Sequence, residues 1–181
     1  MGTAYLSEKC GVRQYRNMRR EELDGAIIAA YERLREDPRT HKSHLFHGRY
    51  ENIYPPRESF PDIEPLLTWI EARCRDVLSP GDARLGIAFW FNEMHHGDRT
   101  TLHTHNDADE LLSGVYYLVV PEHSGEIVFH PDGEVQAFMP AAGDLFLFSP
   151  SLPHEVRENR SGKLRLSVAF NVGVRQSGED A

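Results

Sequence analysis

His103, His105 and Asp107 stand at alternate positions in the segment His-Thr-His-Asn-Asp that closes at Asp107. Along an extended strand, alternate side chains leave the backbone on the same side. The three would share one face, as neighbouring metal ligands must. A further donor, His154, comes from the distant segment Pro153-His-Glu-Val156. Neutral imidazole binds iron, zinc or copper, and a carboxylate adds a charge-neutralising oxygen. Two donors at i and i+2 plus one from another strand make a triangular face and leave coordination positions open for substrates. Taken singly, each histidine reads more simply as a surface or core residue with a satisfied hydrogen bond. Taken together they do not, because alternating polar residues would waste an inward strand face. His105-Asn-Asp107 satisfies an H-x-D pattern and His103-Thr-His105 an H-x-H pattern. Spacing therefore leaves the third ligand open between Asp107 and His103, beside His105 and His154. Asp109 and Glu110 read as solvated loop charges.

A second constellation follows at Arg165-Leu-Ser167. Leu164, Leu166, Val168 and Phe170 point one way along a strand; Arg165, Ser167, Ala169 and Asn171 point the other. An arginine inside a barrel is costly unless an anion meets it. Its planar fork suits a carboxylate, and Ser167 can add a hydroxyl to the same oxygen pair. The plain alternative is an ion pair with an Asp or Glu of this chain. With metal donors upstream, the carboxylate of a cosubstrate is the better partner. Tyr117, in Ser113-Gly-Val-Tyr-Tyr-Leu118, can bring a phenol to that pocket, or serve as an aromatic core residue.

The elements that must position these residues sit within a chain of 181 residues, the size of one domain with a full core. The chain is 40% hydrophobic and 27% charged, ordinary globular composition. A net charge of −8 argues against nucleic acid or an anionic membrane as the main partner, since both call for a basic face. Cys10 and Cys74 are the two cysteines; they make no disulfide framework and no thiolate metal site, and a reducing cytoplasm suits them. No stretch approaches the roughly 20 apolar residues of a membrane span. Met1 to Arg16 lacks the apolar centre of a signal peptide.

Leu23, Ile27, Tyr31 and Leu34 recur at helical spacing and predict a helix over 21–36. Ile63, Leu66, Ile70, Cys74 and Val77 predict a second over 62–78, stopped by Ser79-Pro-Gly-Asp82. Residues 37–59 are polar and read as irregular, a length that suits a functional lip. From Arg84 the pattern changes to short strands, expected near 84–92, 100–106, 113–120, 125–130, 135–139, 144–149, 154–157 and 164–172. The expectation is one domain over 1–181, with a helical N-terminal part (1–83) and a β-barrel core (84–175). Its architecture would be mainly β, a double-stranded β-helix (a jelly roll, cupin-like barrel) with two N-terminal helices packed on one face.

In order along the chain, Trp90-Phe-Asn92, Gly97, His103-Thr-His105, Leu112-Ser-Gly-Val-Tyr-Tyr-Leu118, Pro140-x-x-Gly143-Asp-Leu-Phe-Leu-Phe148, Pro153-His-Glu-Val156 and Arg165-x-Ser-x-x-Phe-Asn171 resemble the iron(II)/2-oxoglutarate-dependent oxygenases. The likeness covers roughly 86–172. It is nearest to small bacterial members that carry H-x-H before the Ser-Gly-Val-Tyr-Tyr strand, and its middle and end look like prolyl hydroxylases. The resemblance implies iron(II), 2-oxoglutarate and O2 as cofactor and cosubstrates. It puts His105 and His154 on iron and Arg165 on the distal carboxylate of 2-oxoglutarate, with Tyr117 and Ser167 assisting. Asn92 would help hold cosubstrate or substrate. Extra residues between His105 and Ser113 leave His103 and Asp107 competing for the third position. The implied reaction is hydroxylation of a small molecule or peptide-linked amino acid, with release of succinate and CO2. Partners would be that substrate and, as an option, a second copy in a homodimer; no nucleic acid or membrane is expected. A second resemblance is to cupins, through Gly97-x5-His103-x-His105-x4-Glu110. Cupins share the barrel but have no obligatory use for Arg165-x-Ser167. A non-catalytic metal- or ligand-binding barrel is the third reading. The segment 41–54, with His41, His44, His47, Arg49 and Tyr54, is the expected rim, and His95, His96 and Arg99 are expected near the mouth.

Overall fold

The computed structural model describes residues 2–46, 48–105 and 109–175. Twelve strands and two α-helices follow one another among them. They are β1 (Thr3–Lys9), β2 (Val12–Asn17), α1 (Arg20–Leu34), β3 (His41–Phe46), β4 (Arg49–Tyr54) and α2 (Glu64–Leu78). Then come β5 (Leu85–Met94), β6 (Thr100–His103), β7 (Leu112–Val119), β8 (Ile127–Phe129), β9 (Gln136–Phe138), β10 (Asp144–Phe148), β11 (His154–Val156) and β12 (Arg165–Val174).

Strands β5 to β12 divide between two sheets. The large sheet runs β1-β2-β10-β7-β12-β5-β4-β3 and the small one β6-β11-β8-β9. The inner order β10-β7-β12-β5 facing β6-β11-β8-β9 is that of a jelly roll, the double-stranded β-helix the strand pattern predicts. All pairings are antiparallel.

The strand β12 shows why the sheet holds a core on one side and a site on the other. It pairs with β5 from Arg165↔Met94 to Val174↔Leu85, and with β7 on its other edge. Being central, it has no edge free for water, and its period-two alternation sorts its residues between the two faces. Leu166, Val168, Phe170 and Val172 join a cluster with Ile27, Tyr31, Leu66, Ile70 and Cys74 of the two helices. Arg165, Ser167, Ala169 and Asn171 line a cavity on the opposite face. The aromatic residues of β5 and β7 obey the same rule. Phe91 stacks on Tyr31 of α1 at 4.2 Å, and Tyr116 donates its hydroxyl to Asp24 of α1 at 2.8 Å. Their neighbours Trp90, Asn92 and Tyr117 line the cavity. Phe170 lies so close over Gly114 that a methyl group there would fall on its ring.

Two departures from the sequence reading concern the N-terminal part. Residues 1–83 are not simply helical: β1 and β2 form a hairpin that extends the large sheet next to β10. Its turn, Cys10-Gly11, has both residues at positive φ (53° and 75°), the geometry that matches the twist of a tight hairpin. The segment 37–59 is not irregular either. β3 and β4 pair from His41↔Tyr54 to Phe46↔Arg49 and join the sheet through Ile53↔Phe91. An edge hairpin wetted on much of both faces needs no apolar alternation, so the periodicity that marks the other strands is missing from it.

Candidate metal centre and cosubstrate pocket

His103 ends β6 and sits directly opposite His154, which opens β11. Pairing across the small sheet thus brings together two residues 51 positions apart. His105 lies past the strand end, since β6 stops at His103 and does not reach 106. A loop contact holds it instead: its backbone N–H donates to the carbonyl of Pro150 at 2.8 Å. The three rings converge, with centroids 5.0 Å apart for His103 and His105, 4.3 Å for His103 and His154, and 5.1 Å for His105 and His154. One ring nitrogen from each lies within 4.8 Å of the others. Asp107, the other candidate for the third position, lies outside the described residues.

The tautomers follow from the partners. A carbonyl oxygen can only accept, so His103 Nδ1 must donate to Thr101 O (2.8 Å) and His154 Nδ1 to Leu152 O (2.9 Å). Each then presents a bare Nε2, the form that binds a metal, and the carbonyl fixes its ring. Burial pushes the pKa of His154 down to about 3, helped by the neighbouring His103 and then His105 and opposed by its bond to Leu152. His154 is therefore neutral at any ordinary working pH, as a ligand must be.

Arg165 is the largest fully buried side chain of the described residues. Its Nη1 donates to the carbonyls of Ser124 (2.9 Å) and Gly125 (2.5 Å), and Nη2 to the Tyr117 hydroxyl (3.1 Å). The guanidinium carbon lies 4.9 Å from the Tyr117 ring centroid. No carboxylate among the described residues pairs with it, and its Nε is buried without a hydrogen-bond partner. The internal ion pair that would give this arginine a purely structural role is thus absent among those residues. Burial raises the Tyr117 phenol pKa, against the pull of Arg165, so it stays a neutral hydroxyl. Ser167 pairs with Asn92 on one side and Tyr117 on the other, in the same lining.

Both groups open into one cavity of about 580 Å³, between the sheets and under the β3–β4 hairpin. That is within the range of small-molecule sites. His44, Leu45, Glu51, Asn52 and Tyr54 of the hairpin line it, so the expected rim is a rim, built as strands. His47 lies outside the described residues. Arg49 ties the hairpin down, donating to Glu93 O (2.8 Å), Arg99 O (3.1 Å) and Glu51 Oε1 (3.0 Å). Asn92 lines the cavity, but its Nδ2 is committed to Glu51 O (2.7 Å) and Asn52 Oδ1 (3.1 Å) of the hairpin. His95, His96 and Arg99 are not part of this lining. His95 meets Asp98, His96 meets the carbonyl of Ser161, and Arg99 lines a separate groove with Arg157 and Arg160. Sequence reasoning overlooked the turn that aims Arg165. Gly125 has φ 87°, and a methyl group there would collide with the Arg157 carbonyl. The Ser-Gly pair in the polar turn 121–126 was its one signal.

Residues 89–173 match the model of the 2OG-Fe(II) oxygenase superfamily. This stretch of the chain is similar to that superfamily. Every residue of the two constellations lies inside it, while the N-terminal hairpins and helices lie outside. No curated protein matches the chain. Among solved structures, it is similar to a 2OG-Fe(II) oxygenase-family oxidoreductase from Burkholderia pseudomallei, at 23% identity with a TM-score of 0.66, covering 91% of this chain and 85% of that one. A Pseudomonas putida prolyl-4-hydroxylase is 18% identical with a TM-score of 0.62 over 93% and 89%. The non-heme alpha-ketoglutarate-dependent carbocyclase SnoK of nogalamycin biosynthesis is 16% identical with a TM-score of 0.74 over 100% and 92%. At these identities the likeness is one of fold. Iron(II) and 2-oxoglutarate are the cofactor and cosubstrate of the 2OG-Fe(II) oxygenases, and the donor set fits both. Imidazole lone pairs converge for the metal, and a buried guanidinium without a carboxylate waits in the same cavity. The cupin reading would also draw on Glu110. That carboxylate accepts from Asn171 (3.4 Å) and does not join the three histidines. No helix among the described residues is long and apolar enough to cross a membrane.

Proposed function

We propose that this chain is an iron(II)- and 2-oxoglutarate-dependent oxygenase that hydroxylates a small molecule or a peptide-linked amino acid. In this reading His103, His105 and His154 hold the metal, and Arg165, with the Tyr117 and Ser167 hydroxyls, holds the far carboxylate of 2-oxoglutarate. The observation that carries it is the state of Arg165: fully buried, without a carboxylate among the described residues, and facing the cavity of the three histidines. Burying a guanidinium is costly unless an anion meets it, and a dicarboxylate cosubstrate supplies that anion on binding. Iron(II) with 2-oxoglutarate supplies the oxidising chemistry: one atom of O2 ends in succinate as CO2 leaves, and the other in the hydroxylated product. The chain's own residues place these partners. The carbonyls of Ser124 and Gly125 take Nη1 and the Tyr117 hydroxyl accepts from Nη2, so Nε–H is left to a ligand.

The test separates cosubstrate from metal. Arg165→Ala should raise the apparent dissociation constant for 2-oxoglutarate roughly 30-fold or more, the loss of a desolvated charge-assisted contact. Iron(II) binding without cosubstrate should change little. Lysine should rescue only in part, since it keeps the charge and loses the fork. Unchanged 2-oxoglutarate affinity in folded Arg165→Ala would overturn the assignment. Product mass then decides the outcome class, since hydroxylation adds one oxygen whereas epimerisation or ring closure adds none.

A further inference from the structure

His44 is an unusual residue for the hairpin that roofs the cavity. It lines the cavity and holds φ at 57°, the left-handed region that non-glycine residues enter at a cost. Its Nδ1 meets two partners, Ser43 Oγ at 2.8 Å and Asn52 Nδ2 at 3.2 Å. The proton on this imidazole can be assigned by following the hydrogen bonds back into the barrel. The carbonyl of Glu51 can only accept, so Asn92 must turn its Nδ2 toward it. The same Nδ2 donates to Asn52, which must therefore present Oδ1 there. Asn52 then has its own Nδ2 directed at His44 Nδ1 and at the Tyr54 hydroxyl (3.1 Å). An amide N–H aimed at Nδ1 demands a lone pair on Nδ1. His44 therefore carries its proton on Nε2, its remaining polar atom, on a ring that faces the cavity.

We propose that His44 is a specificity-determining residue, whose Nε2–H donates to a carbonyl or hydroxyl oxygen of a neutral, ring-bearing substrate lying against Tyr54 and Trp90. This rests on the oxygenase reading for which cavity receives the substrate. The ring wall is on the path to the metal triad: Tyr54 and Trp90 lie 6.0 Å apart, and Trp90 lies 5.9 Å from His105. Charge excludes an anion at this end. Arg165 is the one Lys or Arg in the described lining, and the cosubstrate takes it; Glu51 is already paired with Arg49. A hydrogen-bond donor of fixed direction selects for an acceptor and against an isostere lacking one, because His44 is exposed at the rim and a bound isostere would displace water from its N–H and leave it unpaired.

Two measurements on the full chain, loaded with zinc(II) in place of iron and with 2-oxoglutarate, test this without turnover. Long-range ¹H–¹⁵N spectra should show the His44 side chain as the Nε2–H tautomer, its signals assigned by their loss in His44→Phe. Ligand binding can be followed by Trp90 emission in a Trp69→Phe background, because Trp69 sits on α2, where it donates to Thr3 at the sheet's other face. Acetophenone should quench Trp90 with an affinity about tenfold above that of ethylbenzene, its isostere without the oxygen, and well above that of benzoate. In His44→Phe, acetophenone and ethylbenzene should bind alike. An Nδ1–H tautomer, equal binding of the two neutral probes to the parent protein, or a preference that survives in His44→Phe would each overturn the proposal. A failure of 2-oxoglutarate turnover in the iron-loaded enzyme would instead strike the oxygenase reading, and leaves the tautomer result standing.

Discussion

His103 and His154 show how little freedom a candidate ligand has here. Each spends Nδ1–H on a backbone carbonyl two residues earlier, so each ring arrives already turned with Nε2 toward the centre. His154→Ala should abolish tight iron(II) binding, measured by anaerobic titration, because it removes the donor from the second strand and leaves only neighbours in sequence. The choice between His103 and Asp107 can be made the same way. With three imidazoles as the ligand set, His103→Ala should lose most of the iron affinity and Asp107→Ala about 10–100-fold or less, the cost of disturbing an outer partner. The reverse order would make the centre His105, Asp107 and His154. Near-equal, negligible losses would remove both from the site.

At the scale of elements, α1 is coupled to the sheet through a buried carboxylic acid. Asp24 of α1 accepts from Tyr116 of β7 and lies 3.9 Å from Arg20. Burial raises its pKa from 3.8 to about 6, against the pull of Tyr116 and Arg20. The folded state thus keeps a proton that the unfolded chain has lost between pH 4 and 6. Folding is favoured fully below that window, and stability is given up as pH rises through it, by about 3 kcal/mol at most. Asp24→Asn keeps an acceptor for the Tyr116 hydroxyl and cannot ionise. Its stability relative to the parent, from urea midpoints at pH 4, 5, 6 and 7, should rise across that range and level off above pH 6. Comparing the pair cancels the opposite trend from His154, whose depressed pKa adds stability as pH rises from about 3 toward 6.5. A constant difference would mean that Asp24 does not titrate in the window.

Over the whole molecule, the large sheet acts as a partition. Its helix side carries the aromatic stack of Tyr31, Phe91 and Phe60, and its other side carries the cavity lining of Trp90, Asn92, Tyr117, Arg165 and Ser167. Stability and function should therefore separate by the parity of position along a strand. Phe91→Ala should cost about 3–5 kcal/mol of unfolding free energy, as for a large buried aromatic. The folded fraction should still bind iron(II) and 2-oxoglutarate as the parent does, although residues 90 and 92 on either side line the cavity. A loss of 2-oxoglutarate affinity in folded Phe91→Ala would show that the two faces are mechanically coupled.

Much of this was legible in the chain itself, for identifiable reasons. Strict alternation in 165–172 declares two faces, and a buried face cannot change register without exposing its apolar set to water. The strands of the barrel, the side of β12 that carries Arg165, and the histidines worth watching all follow from that. The β1–β2 and β3–β4 hairpins were not legible, because β1 and β3 are wetted edge strands and the buried residues of β2 and β4 do not alternate strictly. Nor was the convergence of the metal donors, since strand spacing explains His103 but not His105, which a loop contact to Pro150 puts in place. Whether Arg165 had a carboxylate partner, and which nitrogen of His44 carries the proton, depend on groups 40 residues away or on chains of hydrogen bonds crossing three strands. Local pattern determines which face a side chain takes; only the packed structure decides what it meets there.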